Sequence, residues 1–276
     1  MKRARSRPQA RPAPRLQRAF TLAEMLIVMV VTGIVAAVVA VFLRAPIQGY
    51  FDSERRARLA AGLHTAAGRL QRDLRLALPN SVRVAQVGAI TYLEFLQTSG
   101  GGRYRAEPGA AGSGDILDFT AADTSFDVLG ATPAAQAGQY VVVSNFGPGS
   151  ASDAYAGNAA QLTAVGAANF AIAATRFVLA SPSNRFQVVE TPVTYECNPA
   201  AGSLRRYSGY ALSASQPQPP AGVAGTLLAN QVSACSMSYD ANPAARRMGT
   251  VVLQLALSEG GETLTLLQQV HVSNQP

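Results

Sequence analysis

From Phe20 to Leu43 the chain reads "FTLAEMLIVMVVTGIVAAVVAVFL", 24 residues that carry a single charge, Glu24. A bilayer hydrocarbon core of about 30 Å takes about 20 helical residues. The stretch therefore predicts a membrane-spanning helix over about residues 22–43, and every other segment must be placed relative to it. Lys2, Arg3, Arg5, Arg7, Arg11, Arg15 and Arg18 precede it with no acid among them, and Arg44 follows it. This asymmetry puts residues 1–19 in the cytoplasm and everything after Leu43 on the far side of the membrane.

A net charge of +7 invites a nucleic-acid partner, but position argues otherwise. Seven of the 23 cations lie before Phe20, which leaves sixteen to balance the 16 acids of the remaining chain. The basic character belongs to the amino-terminal segment, and no nucleic-acid partner is expected for the rest. A cleavable secretory signal fits poorly, because the apolar run exceeds the usual 7 to 15 residues of such signals and no small-x-small site follows Leu43. A plain signal anchor leaves Glu24 unexplained. A carboxylate near the apolar core costs up to a few kcal/mol and calls for a partner, although the helix dipole favours an acid in a first turn.

"AFTLAEMLIVMVVTGIVAA", behind its basic leader, resembles the signature of type IV prepilins and pseudopilins: a small residue, then Phe-Thr-Leu-x-Glu opening an apolar helix. The resemblance implies that a prepilin peptidase cuts between Ala19 and Phe20 and methylates the new Phe20 amine. Ala19 stands where glycine is commoner. It also implies that Glu24 meets the amino-terminal amine of a neighbouring subunit and sets register in a filament. Each charge would then offset the desolvation of the other.

Beyond the span, Pro46 with Gly49 predicts a kink, after which a helical pattern resumes to Leu78. Leu59, Leu63, Ala66, Ala67, Leu70 and Leu74 fall on one face. Glu54–Arg58 and Arg69–Asp73 are spaced as surface i,i+4 pairs, and the arginines at 55, 56, 58, 69, 72 and 75 read as a solvated face. Pro79-Asn80 closes a helix over 20–78, about 88 Å long at 1.5 Å per residue. From residue 79 to 276 the period becomes two. Strands are expected at Ile90–Leu96, Ile116–Thr120, Gln139–Asn145, Arg176–Leu179, Phe186–Glu190, Val193–Cys197, Ser203–Tyr207, Ser236–Asp240, Thr250–Leu257 and Thr263–Val272. Hairpins are expected through Asn198–Gly202 and at Gly260-Gly261. Loops are expected at 97–114, 147–160 and 213–226. The fold class is α+β and type IV pilin-like: a long amino-terminal helix, membrane-embedded then amphipathic, packed on a carboxy-terminal antiparallel β head.

Cys197 and Cys235 fall on the far side of the membrane, where two thiols most simply form one disulfide. "FLRAPIQGYFDSERRARLA", "RDLRLALPNSVRV", "DAYAGN" and "LRRYSGY" are similar to minor pilins of the MshO type, from the mannose-sensitive haemagglutinin (MSHA) pilus system. The implied function is that of a structural minor pilin, inserted in the inner membrane with its head in the periplasm and then carried to the pilus and cell surface. Its partners would be the peptidase, other major and minor pilins through the helix, and membrane lipid. A minor pseudopilin of a type II secretion system has the same amino terminus. A tip adhesin or DNA-binding subunit would gather Arg205, Arg206, Arg246 and Arg247 with Tyr207 and Tyr210 on one surface. A signal-anchored protein that never assembles would keep its leader.

Nothing in the sequence makes a case for catalysis, a cofactor or a metal. His64 and His271 have no triad or ligand spacing. "SGGGR" at 99–103 lacks the Lys-Ser/Thr of a phosphate loop. Asp153 and Asn158 in "GPGSASDAYAGN" supply too few carboxylates for calcium.

Overall fold

The computed structural model describes residues 20–241 and 248–275. The leader with Ala19, and Arg246 and Arg247, lie outside the described residues. Two compact units meet between Glu54 and Arg55, inside one helix, α1 (Leu22–Arg75). In the first unit α1 is apolar all round, and it continues in helical form through Pro46.

The second unit is built on the other end of α1. Leu59, Leu63, Ala66, Ala67, Leu70 and Leu74, the expected stripe, are at most 4% exposed. The helix stops three residues before the expected Leu78. Pro79 disfavours helical geometry in the residue before it, and Leu76 and Ala77 turn back on Asp73 and Leu74 at 3.1 Å. Ala77 then bridges to Gln97, and the Leu78 N–H donates to the Leu96 carbonyl at 2.7 Å, so residues expected in the helix join a sheet.

Among the described residues twelve strands follow: β1 (Arg83–Val87), β2 (Ile90–Tyr104), β3 (Asp123–Leu129), β4 (Tyr140–Val142), β5 (Ala159–Val165), β6 (Asn169–Thr175), β7 (Arg185–Asn198), β8 (Ser203–Ser208), β9 (Thr226–Ala229), β10 (Val232–Asp240), β11 (Met248–Glu259) and β12 (Glu262–Ser273). All pairings are antiparallel and fall into two sheets. One has the order β1-β2-β3-β6-β5-β4-β7-β8-β9, and the other β10-β11-β12. Both expected hairpins form, β7–β8 closing at Asn198↔Ser203 and β11–β12 at Glu259↔Glu262. Gly260 and Gly261 have φ of 57° and 83°, the two positive values that a tight two-residue hairpin needs.

Strands β2 and β7 also pair directly, from Thr91↔Cys197 to Arg103↔Arg185. Their first shared segment, Thr91–Leu96 with Pro192–Cys197, contributes Leu93, Phe95, Val193, Tyr195 and Cys197 to a core with the α1 stripe and with Met237, Val251, Leu253, Leu255 and Val270 of the second sheet. Their far segment closes a ring, β2-β3-β6-β5-β4-β7 and back to β2. A separate core fills that ring: Tyr104, Phe126, Val128, Val141, Phe170, Phe186 and Val188. The Phe126, Phe170 and Phe186 rings meet edge to face at 5.3 to 5.9 Å, the arrangement aromatic quadrupoles prefer.

The ring accounts for most departures from expectation. Ile116–Thr120 and Arg176–Leu179 are not strands. Leu117 and Phe177 are buried as single side chains plugging the ring, 2% and 0% exposed, without joining its ladders. Residues 97–104 are the end of β2 rather than loop. The glycines there fit Phe186: a Cβ on Gly101 would lie 2.9 Å from its carbonyl oxygen, and one on Gly102 2.8 Å from its ring. The loop expected at 147–160 gives way at Ala159 to β5. β1, β3, β5, β6 and β9 are further strands, beyond those expected.

Cys197 on β7 and Cys235 on β10 form a disulfide, with Cα atoms 6.5 Å apart, that ties the first sheet to the second. Replacing both cysteines by alanine should lower unfolding free energy by roughly 4 kcal/mol, the chain-entropy value for a loop of this length, in denaturant titrations of the full chain in neutral detergent. Peptide maps made without reductant should recover the two cysteines in one linked fragment; two free thiols would contradict the pairing.

Candidate processing and assembly site

The site predicted at the amino end can be followed from Phe20 onward. Phe20 precedes the helix and is 77% exposed. Thr21 is the residue before the first helical position, and its Oγ1 accepts the Glu24 N–H at 3.3 Å. That bond is one half of a Thr-x-x-Glu capping box, which places Glu24 at the third helical position. The spacing of "TLAE" thus serves the helix start directly, by a cap and by an acid at the positive end of the dipole. Glu24 is exposed, four residues after Phe20. Phe20, Met25, Val28 and Met29 line a small apolar notch of about 240 Å³ beside it.

Further along, every large apolar side chain from Met25 to Leu43 is at least 47% exposed. The mean hydropathy of the best 18-residue window is 3.1, with none of it buried. A helix that is apolar on all sides requires a nonpolar surrounding, since water leaves such a surface unsatisfied. Thr32, inside the run, donates its hydroxyl to the Val28 carbonyl at 2.6 Å and so needs no outside partner.

The other candidate residues settle into the head. Arg205, Arg206, Tyr207 and Tyr210 do not form an open basic and aromatic patch. Arg206 Nε donates to Asp73 Oδ2 at 2.6 Å, and the Tyr195 hydroxyl donates to the same oxygen at 2.9 Å. Arg69 completes the group from Asp73's own helix at 3.1 Å, so the expected surface pair Arg69–Asp73 joins an exposed arginine to a buried carboxylate. Arg58 pairs with Glu259 at 3.6 Å, and Arg56 with Glu262 at 3.0 Å. Arg205 donates to the Gly225 carbonyl, Tyr207 to Glu196 at 2.7 Å, and Tyr210 to Glu94 at 2.9 Å.

Glu94 is fully buried. Arg83 Nε donates to it at 2.7 Å while the rest of that guanidinium reaches the Ser213 and Ala214 carbonyls and lies 3.7 Å over the Tyr155 ring. Burial raises the Glu94 carboxyl above its ordinary range despite Arg83 and Tyr210, which pull it down. This network was illegible in the sequence, since its members are up to 131 residues apart.

Asp153 caps a 3-10 turn (Ala154–Ala156) by accepting the Tyr155 N–H at 2.9 Å, and Asn158 donates to the Val143 carbonyl at 2.7 Å. Both therefore serve to fold their own loop. His64 is exposed on α1, and His271 on β12 lies 3.2 Å from Thr250 Oγ1. Among the described residues no three His, Cys, Asp or Glu side chains gather as metal ligands.

Burial and the Glu196 hydrogen bond push the Tyr207 phenol up to about 12. An unfolded tyrosine ionises near 10, so the stability this group contributes is complete below that pH and is lost as pH rises towards about 12. Tyr207→Phe should therefore reduce the loss of stability over that window by one proton's worth of linkage, read as unfolding midpoints against pH. Tyr195 and Tyr210, raised by burial in the same sense, keep the remaining slope.

Comparison with known proteins adds one finding. Residues 14–40 match the family model described as the prokaryotic N-terminal methylation motif. No curated protein and no solved structure matches the chain. The capped helix start, the unshielded apolar run and the matched motif together support a place for this chain among the type IV prepilins and pseudopilins.

Proposed function

We propose that the chain is a structural, non-catalytic minor pilin of the MSHA type. The observation that carries this reading is Glu24, held at the third helical position four residues after Phe20, at the head of an otherwise uncharged apolar run within the matched motif. In this reading residues 1–19 stay in the cytoplasm, about 22–43 span the inner membrane, and the head from residue 79 onward stands in the periplasm before passing to the pilus and cell surface. A prepilin peptidase cuts between Ala19 and Phe20 and methylates the freed amine.

Cleavage changes the electrostatics of the site. A new cation appears beside the apolar core, and neither it nor Glu24 is well placed there alone. Set against each other across two subunits, each lowers the cost of the other, and the pair fixes the axial register of the helices. The apolar sides of α1 then exchange lipid for the helices of neighbouring pilins. The motif match equally supports a minor pseudopilin of a type II secretion system, whose amino terminus follows the same logic.

Amino-terminal sequencing of protein recovered from membranes should read methylated Phe20, and a chain still starting at Met1 would defeat the proposal. Glu24→Leu should leave membrane insertion intact and lower incorporation into filaments by about tenfold or more, the loss expected for one charge-assisted contact. Normal incorporation of this variant would remove the assigned role of Glu24. Ala19→Gly, which restores the commoner residue at the cut, should process at least as fast as the parent in a pulse-chase assay.

A further inference from the structure

The closed ring carries a feature that pilus assembly does not use. Tyr104, Phe186, Val128 and Val188 point into its core. Alternation along each strand therefore places Arg103, Arg185, Leu129 and Gln187 on its outer face. Arg103 and Arg185 are direct cross-strand partners, and Leu129 continues the same row on β3. The Tyr104 N–H donates to the Asn184 carbonyl at 2.9 Å, which makes 104/184 the hydrogen-bonded pair and 103/185 the closer, non-hydrogen-bonded kind. Like charges placed opposite each other in this way destabilise a sheet.

The surroundings do not relieve that repulsion. Neighbouring Arg105 is matched by Asp127 at 3.0 Å. Arg103 and Arg185 are exposed, and neither has an acid or a hydrogen-bond acceptor among the described residues. Beside them Gly100, Gly101 and Gly102 leave the strand without side chains, where a Cβ would crowd Pro133 at the first and Phe186 at the other two. The result is a cleft of about 890 Å³ with a bare peptide floor, walled by the two arginines with Ser183 and Gln187 at hand.

We propose that Arg103 and Arg185 form a receptor for an oxyanion, a sulfate, phosphate or carboxylate group seated between two guanidinium forks over the glycine floor. Each fork presents two parallel N–H donors matched to such a group, and the anion supplies the countercharge that the fold withholds. The site lies wholly in the head and is independent of the pilin reading.

The full chain in neutral detergent tests it by thermal unfolding with sodium sulfate, sodium phosphate or sodium acetate, each against sodium chloride at equal ionic strength. At least one anion should raise the midpoint saturably, and which one does so identifies the group recognised. Arg103→Gln or Arg185→Gln should weaken that response at least about tenfold, as loss of a charged hydrogen-bonding partner does. The double variant should abolish it, while Arg75→Gln, on α1, should leave it unchanged. Arg103→Lys, which keeps the charge and loses the fork, should fall between. Without added anion the double variant should be at least as stable as the parent. No saturable response in the parent, or one that survives the double substitution, overturns the site.

Discussion

The head depends on one stripe of α1. Leu59, Leu63, Ala66, Ala67, Leu70 and Leu74 are the apolar surface on which both sheets converge, sharing a single core with Leu93, Phe95 and Tyr195 of the first and Val251, Leu253 and Leu255 of the second. Deeply buried side chains of this kind each contribute about 1.5–3 kcal/mol relative to exposure. The disulfide between Cys197 and Cys235 holds the same two sheets at their own contact.

Charge is arranged around that core in a consistent way. Asp73 and Glu94 are buried acids, and each has an arginine and a tyrosine hydroxyl aimed at it: Arg206 and Tyr195 for the first, Arg83 and Tyr210 for the second. A buried carboxylate costs several kcal/mol unless compensated, so these networks specify which strands lie together. Arg206 and Tyr210, which looked available for a ligand in the sequence, are thereby committed to folding. Among the described residues Arg103 and Arg185 have no countercharge, since they sit on the outer face of the ring, where the fold needs nothing from them.

Legibility followed distance along the chain. The apolar run, the helix stripe and both hairpins arise from contacts within a few residues, and each could be read directly. The ring could not be: β2 pairs with β3 through only two residues and with β7 some ninety positions away. Leu117 and Phe177 look like strand residues in sequence and are plugs in space. The glycine run at 100–102 looks like a flexible loop and is extended strand paired with β7, close enough to Pro133 and Phe186 that a Cβ would crowd them.

Composition and order by themselves determined that residues 20–43 need a nonpolar surrounding, that Glu24 places a charge at the start of that helix, and that a β-rich head follows an amphipathic helical segment. These are properties of local spacing and of the cost of moving charge out of water. Tertiary structure alone decided that β2 and β7 each serve two cores, that Arg206 and Tyr210 turn inward, and that two arginines 82 positions apart face each other across a ladder. Those outcomes depend on register between distant strands, which is set by how the ring closes around its phenylalanines.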